Sequence, residues 1–364
     1  MSQSIPYKMR AVVIGGITAG ADVRLSTVDA PQVVPGRVLI RVRGFGLNHS
    51  EQMLRQGEVL EPYIKKPCVP GIECVGEIAD AGDADFEAGQ PVVALMGGMG
   101  RSFWGGYAEY ALVPADHVFA LPQALSERFS WTELAAIPET YHTAWGSLTE
   151  GLQLQADDTL LVRGATSALG YAAVQLARAV GARVIATTHR EERLGEVREM
   201  LGLPVEEAEP VNMDERWEPV MDAFAGSSEF LASHENAAVL DTGELVGKLD
   251  DYHITKALEV VGPRTLLDTL RCVERHGIVC NTGVLGGVEE FHDFDPIKGL
   301  VSGVYLTSFY SNRPTDRGMA ELFDFIAEHD LRPQIAAAFD FDHIADALAL
   351  QDAGGMHGKI VVTM

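Results

Sequence analysis

Cysteine is scarce in this chain: four in 364 residues, Cys68, Cys74, Cys272 and Cys280, with no C-x-x-C pair among them. That usage excludes a disulfide scaffold and points to reduced thiols in a cytoplasmic setting. Long apolar runs are missing, so no membrane span and no membrane partner are expected. The opening MSQSIPYKMR also lacks the apolar core of a secretory signal. Basic residues are outnumbered, 28 against 52 acidic ones, giving a formal net charge of −24. Such a surface repels nucleic acid and anionic lipid, and neither is an expected partner. An anionic cofactor is still compatible, because a few local arginines can form its site. Much of the acid is local too: thirteen carboxylates against two basic residues fall between Val205 and Asp251. That stretch reads as a solvated surface insertion. What the chain holds in quantity is apolar material, 47% of its residues, enough at this length for two domains and a large core.

The most informative stretch is 159–193, TLLVRGATSALGYAAVQLARAVGARVIATTHREER. Residues 159–162 are apolar and β-leaning, and 164–170 are small and turn-forming. Residues 171–180 carry Ala173, Val174, Leu176, Ala177 and Val180 at helical spacing, and Gly181 stops the helix. A second strand over 183–188 and a basic loop follow. This is the plan of a dinucleotide-binding unit. A pyrophosphate must approach backbone N–H groups at a helix start, where the dipole and unpaired donors favour anions. The turn Gly164, Ala165, Thr166, Ser167, Ala168, Leu169 and Gly170 offers that approach, although GATSALG departs from G-x-G-x-x-G. The plainer alternative is a tight turn with no ligand. Sites that prefer NAD carry a carboxylate at the end of the second strand. Here Thr188, His189, Arg190 and Arg193 stand instead, and Glu191 and Glu192 read as a solvated helix start. A guanidinium suits a 2′-phosphate, so the expected cofactor is NADPH.

Upstream, strands are expected at 10–14, 37–43, 74–80, 91–95 and 107–113, punctuated by Gly and Pro, as in a barrel-like antiparallel domain. A helical stretch near 131–148 leads into the βα repeats. Nearly all-apolar runs at 254–261 and 277–282 read as parallel strands buried on both faces. A further strand is expected at 303–309, an amphipathic helix at 317–329 and a closing strand at 359–363. The acidic stretch is long for one connection, so helical turns of its own are expected at 218–225 and 229–234.

A set of short motifs runs through the chain. Gly46-Leu47-Asn48 precedes Arg55-Gln56-Gly57, and Pro70-Gly71-Ile72-Glu73 comes with Gly76. Gly105-Gly106-Tyr107-Ala108-Glu109-Tyr110 and Ala135-Ala136-Ile137-Pro138 with Thr143-Ala144 follow, then the dinucleotide unit, 277–287 and Gly358-Lys359-Ile360-Val361. In order and spacing the set resembles the medium-chain dehydrogenase/reductase superfamily, specifically its zinc-free quinone oxidoreductase branch. The resemblance covers nearly the whole chain apart from the acidic insertion. It implies an α/β protein with a GroES-like β-barrel catalytic domain made of both chain ends, 1–137 and 314–364. A Rossmann domain with a doubly wound parallel sheet, 138–313, is implied between them, binding NADPH and carrying the insertion at about 205–250. A homodimer is implied as well, with 303–309 as the last Rossmann strand at its interface.

The same resemblance argues against a metal. Catalytic zinc needs three Cys, His or carboxylate ligands and an open position. Zinc-dependent relatives place a Cys where Asn48 stands and a His where Ile72 precedes Glu73. Their third ligand falls in 138–143, which offers Glu139, Tyr141 and His142. Their four-cysteine lobe is missing between Val93 and Gly106. His49 and His142 could mimic ligands, and Glu73 is given a structural role. With no metal to lower an alcohol's pKa, the expected substrate is a small hydrophobic electrophile already activated for hydride: a quinone, enone or enal. The resemblance puts Asn48 at the nicotinamide ribose, Thr143 near the cofactor, and Thr282, Gly283, Val284 and Leu285 where backbone meets the nicotinamide.

Some members carry a tyrosine five residues after the asparagine, where this chain has Met53. The catalytic set is therefore Asn48 with Tyr63, Tyr141 and His142 as candidate proton donors, beside His49 and water. Met53, Met96, Met99, Phe103 and Trp104 could form an adaptable substrate wall or simply pack the core. The glycine-rich loop 97–100 could act as a cover. Two other functions fit the same residues: a metal-free carbonyl reductase or alcohol dehydrogenase, and a non-enzymatic NADPH-binding protein.

Overall fold

The computed structural model describes residues 5–204, 236–288, 290–292 and 294–364. The helical turns expected at 218–225 and 229–234 lie outside the described residues. The chain divides into two units, one of Met1–Thr143 with Tyr310–Met364 and one of Ala144–Phe309.

In the first unit both chain ends enter one seven-stranded sheet. Its long central strand is Arg37–Gly46, where Val38, Ile40 and Val42 alternate with Arg41 and Arg43 across the pleat. One edge of this strand pairs antiparallel with Glu73–Asp80. The other edge is divided between Tyr110–Pro114 and the last strand of the chain, Lys359–Thr363. Ile335–Asp340, which the sequence reading did not foresee, joins in parallel with that last strand. The strand expected at 10–14 starts earlier, as Lys8–Val12, and is hairpinned to Leu25–Asp29. The helix expected over 131–148 is interrupted. It forms as Trp131–Ala135 and Pro138–Gly146, because Pro138 has no N–H for a continuous helix and suits a helix start.

The second unit holds a six-stranded parallel sheet. In chain order its strands are Thr159–Arg163, Arg183–Thr188, Ala237–Leu240, Lys256–Glu259, Ile278–Asn281 and Tyr305–Ser308. They lie in the order 3-2-1-4-5-6, the doubly wound Rossmann arrangement. The first strand pairs directly with the fourth, Leu160 with Lys256 through Arg163 with Glu259. Leu160, Leu161 and Val162 have no exposed surface, as a central strand covered on both faces requires. The third strand corrects the reading of the acidic stretch as wholly solvated. Ala237–Leu240 is an edge strand in register with Ile185 to Thr188, and Leu245 and Leu249 are buried in the core of this unit.

Candidate functional site

Parallel strands bring their C-terminal ends to one edge, and in a doubly wound sheet ligands bind there, next to the reversal of strand order. The residues singled out in 164–170, 188–193 and 282–285 follow the first, second and fifth strands, so all of them gather on that edge. Gly164 turns the chain at φ +89°, a left-handed conformation that glycine adopts without strain. Gly170 packs onto it: a Cβ there would lie 2.3 Å from the Gly164 carbonyl oxygen. Ser167 caps the helix Ala168–Val180, its Oγ accepting from Gly170 N at 3.0 Å and donating to Gly164 O at 2.9 Å. Ala165 N donates to Thr187 O at 3.0 Å, tying the turn to the second strand. Thr166, Ser167, Ala168 and Leu169 are only half-buried, so the helix start with its unpaired N–H groups faces outward.

At the end of the second strand Thr188 is buried, His189 exposed, and Arg190 and Arg193 half-buried. Arg190 N donates to Thr188 Oγ1 at 3.3 Å, and Arg193 reaches Glu196 at 3.4 Å. A carboxylate does stand beside this strand end. It is Asp241, whose N donates to Thr188 O at 2.7 Å. The sequence reading missed it because it follows the unforeseen third strand. Its oxygens are engaged by the fully buried Arg163, at 2.6 Å from Nε and 2.8 Å from NH2. Burial works against the charged form, yet the bonds and charge of Arg163 hold the Asp241 carboxyl below its ordinary value. Arg163 NH1 also bonds Asp268 at 2.7 Å and Thr269 Oγ1 at 3.0 Å.

After the fifth strand, Thr282 Oγ1 meets Ser147 Oγ at 2.9 Å. Gly283 and Val284 are half-buried and Leu285 is exposed. Leu285 N and Gly286 N donate to Val260 O and Val261 O at 3.1 and 2.8 Å, which laces this loop to the one after the fourth strand.

In the other unit, Asn48 caps the helix His49–Gln56 in a capping box with Glu51. The Asn48 amide is held from both sides. Its Oδ1 accepts from Lys359 Nζ at 2.5 Å, and its Nδ2 donates to Glu73 Oε1 at 2.9 Å and, longer, to Glu51 Oε1 at 3.5 Å. Lys359 also pairs with Glu73 Oε1 at 2.9 Å and donates to Thr140 Oγ1 at 2.7 Å. Glu73 Oε2 accepts from Glu139 N at 2.8 Å, at the start of Pro138–Gly146, where the helix dipole favours an anion. One turn on, Thr143 Oγ1 donates to Glu139 Oε1 at 2.8 Å. Asn48 and Thr143 thus belong to one cluster with Glu51, Glu73, Glu139, Thr140 and Lys359. Burial pushes Glu51 up to about 7, and it also raises Glu139.

The candidate proton donors occupy unlike places. Tyr63 is exposed, and its hydroxyl donates to Glu58 at 3.1 Å. Tyr141 is buried. His142 is buried too, and burial pushes its pKa down to about 4, which leaves the ring neutral at neutral pH. His49 is exposed, with Nδ1 3.0 Å from Gln52 Oε1. Among the described residues no group of three or more His, Cys, Asp or Glu is placed to hold a metal ion. Met99 and Phe103 pack in the core of this unit, the second of the two roles the sequence left open for them. The loop 97–100 is folded on itself, with Arg101 N, Ser102 N and Phe103 N all donating to Gly98 O.

The two units define a class: a GroES-like domain together with a Rossmann-like parallel sheet, the build of a dehydrogenase. Residues 34–123 match the family described as the alcohol dehydrogenase GroES-like domain, and residues 228–362 match the one described as zinc-binding dehydrogenase. The mouse synaptic vesicle membrane protein VAT-1 homolog-like is 34% identical over 175 residues, 48% of this chain and 39% of that protein. Human quinone oxidoreductase is 35% identical over 173 residues, 46% of this chain and 48% of that protein. The matched stretch therefore spans less than half the length of these curated relatives. Among solved structures, a crotonyl-CoA carboxylase/reductase in complex with NADP superposes with a TM-score of 0.75 at 21% identity, covering 99% of this chain and 96% of that one. The chain belongs to the medium-chain dehydrogenase/reductase superfamily, on its quinone oxidoreductase branch.

Proposed function

We propose that this protein is an NADPH-dependent, zinc-independent oxidoreductase that delivers hydride to an activated acceptor, a quinone, enone or enal. The observation that carries the reading is the dinucleotide turn and its basic tail. The Gly164 conformation and the close packing of Gly170 against it shape a turn that suits a pyrophosphate at the start of Ala168–Val180. Arg190 and Arg193 suit a 2′-phosphate, and the nearby Asp241 carboxylate is engaged by Arg163 rather than free to oppose that charge. When bound, the nicotinamide cofactor supplies the hydride. The chain's own residues orient the reactants and exclude water. Asn48 and Thr143 are assigned to the nicotinamide side, with Thr282, Gly283, Val284 and Leu285 as the backbone contact. Zinc independence is supported by Lys359, whose ammonium stands 2.5–2.9 Å from Asn48, Glu73 and Thr140, where a dication would meet an existing positive charge. The names of the human quinone oxidoreductase and of the NADP-bound neighbour agree with this reading.

Purified protein mixed with NADPH and 1,2-naphthoquinone should consume reduced nicotinamide. Tight NADPH binding with no turnover across quinones, enones and aldehydes would sink the enzymatic reading. Arg190→Ala should weaken NADPH roughly ten- to hundredfold, the worth of a charge-assisted bond, and NADH far less. Equal losses would remove Arg190 from the 2′-phosphate site. A full equivalent of zinc in the pure protein would overturn the metal-free assignment. Tyr63→Phe, Tyr141→Phe and His142→Gln, compared on kcat, sort the proton donors.

A cytoplasmic homodimer is part of the same proposal. Among the described residues no helix is long and apolar enough to cross a membrane. Tyr305–Ser308 is the edge strand of the parallel sheet, with Tyr305 58% and Leu306 43% exposed, a template for pairing with a second copy. A monomeric mass by light scattering would exclude the dimer.

A further inference from the structure

Lys359 opens the last strand of the chain and is 3% exposed, an unusual depth for a lysine without a task. Room has been left for it. A Cβ on Gly46 would lie 2.2 Å from Lys359 Cε and 2.7 Å from Glu73 Oε1, so only glycine there admits the ion pair. An asparagine amide has two orientations, and its neighbours choose between them. Lys359 Nζ can only donate, and an ionised Glu73 can only accept. They approach opposite ends of the same amide, Nζ at 2.5 Å from Asn48 Oδ1 and Glu73 Oε1 at 2.9 Å from Asn48 Nδ2. Each is held by another element: Lys359 by Thr140 Oγ1 at 2.7 Å, and Glu73 by Glu139 N at 2.8 Å.

We propose that Lys359 is a positioning residue that locks the Asn48 amide in one orientation, Oδ1 to the ammonium and Nδ2 to Glu73. The inference rests on the proposed assignment of Asn48 to the nicotinamide side. It acts through contact: the ammonium can only donate, so Asn48 turns Oδ1 to it and leaves Nδ2 for Glu73. The lysine thus sets the face of Asn48.

Replacing Lys359 alone would strand a buried carboxylate, so the informative variant is the pair Lys359→Met with Glu73→Gln, which removes both charges at similar shape. A glutamine offers Asn48 either a donor or an acceptor, and the amide then keeps the longer Glu51 contact at 3.5 Å in place of the two close ones. In the ligand-free protein, the Asn48 side-chain NH2 resonances, assigned by their loss in Asn48→Ala, should shift and broaden in the pair variant. Unchanged resonances overturn the lock whatever the activity. In quinone turnover the pair variant should lose about tenfold in kcat with KM little changed, and adding Asn48→Ala should bring no further loss. An undiminished loss in the Asn48→Ala background overturns the inference and leaves the site assignment standing. Full activity of Asn48→Ala alone overturns that assignment, and with it the role given to Lys359 in turnover.

Discussion

Arg163 in one unit and Lys359 in the other are both buried cations that meet carboxylates, and their two clusters are built differently. In the parallel-sheet unit, Arg163 spreads its planar fork over Asp241 and Asp268, and Asp241 stays charged, held below its ordinary value despite burial. In the other unit, Lys359 is a compact ammonium that meets Glu73 and Asn48. Glu51, as deeply buried, receives N–H groups from Ile72 and Asn48 at 2.8 and 2.9 Å. Burial wins there, and Glu51 is pushed up to about 7. A guanidinium satisfies two carboxylates geometrically, whereas an ammonium acts as a point charge. The first cluster therefore acts as scaffold beneath the dinucleotide turn. The second contains Glu51, whose raised value of about 7 falls within the working range of pH.

The largest expected effect lies in the scaffold cluster. Arg163→Met takes from the half-buried Asp241 and Asp268 the guanidinium they share, next to a fully buried Glu259. Stability in denaturant should drop by about 3–5 kcal/mol, the usual result of removing one partner of a buried pair. Asp268→Asn in that background should recover part of the loss. A drop under about 1 kcal/mol would erase the contrast between the clusters.

The next effect is a pH dependence that the intact protein conceals. Glu51 binds its proton more tightly when folded, near 7 against an ordinary 4.5. Its contribution to stability is full below about 4.5 and is lost as pH rises to 7, by about 3 kcal/mol at most. His142 works the other way. Buried and neutral, with its pKa pushed down to about 4 from 6.5, it contributes above 6.5 and loses that contribution as pH falls toward 4. The two slopes oppose each other between 4.5 and 6.5. Glu51→Gln should therefore give a protein that gains stability as pH rises through that window, and His142→Gln one that loses it. Parallel curves for both variants and the parent would show that neither group titrates as described. Asp241 provides the control, since its contribution is present above ordinary carboxylate values and fades only as pH falls through its lowered folded value.

The contrast also marks what local sequence can reveal. The strand, turn and helix of 159–188 announce themselves because period, glycine and cap lie within thirty consecutive positions. Ala237–Leu240 escaped because it follows a stretch whose acidic composition reads as solvent-facing, and Asp241 escaped with it. The Asn48 cluster was legible only in part. Asn48 stood out, but its partners Glu73 and Lys359 lie 25 and 311 residues away, and no periodicity reports a contact of that span. A lysine opening the closing strand Lys359–Thr363, ahead of Ile360, Val361 and Val362, was a hint beside the motifs that hold Glu73 and Lys359. For Met99 and Phe103 the sequence left wall and core open, since an apolar pocket wall and an apolar core have the same composition, and both pack in the core.

The smallest effect separates scaffold from site within a single chemistry. Both units cap a helix with serine. Ser130 caps Trp131–Ala135, accepting from Glu133 N at 3.3 Å while Glu133 Oε2 accepts from Ser130 N at 2.8 Å. Ser167 caps Ala168–Val180 and also bonds back to Gly164 O. Removing either hydroxyl with alanine should cost about 1 kcal/mol of stability. The two should part company in ligand binding. Ser130 supports a five-residue helix in the other unit, where its box partner Glu133 pairs with Arg332, so Ser130→Ala should leave NADPH affinity within error. Ser167 holds the turn that the pyrophosphate must meet, and freeing Gly164 O lets that turn relax. Ser167→Ala should therefore weaken NADPH several-fold, about 1 kcal/mol by titration. Equal affinities in the two alanine variants would mean that the turn is held by Gly164 and Gly170 alone, and that Ser167 is a cap of the same kind as Ser130.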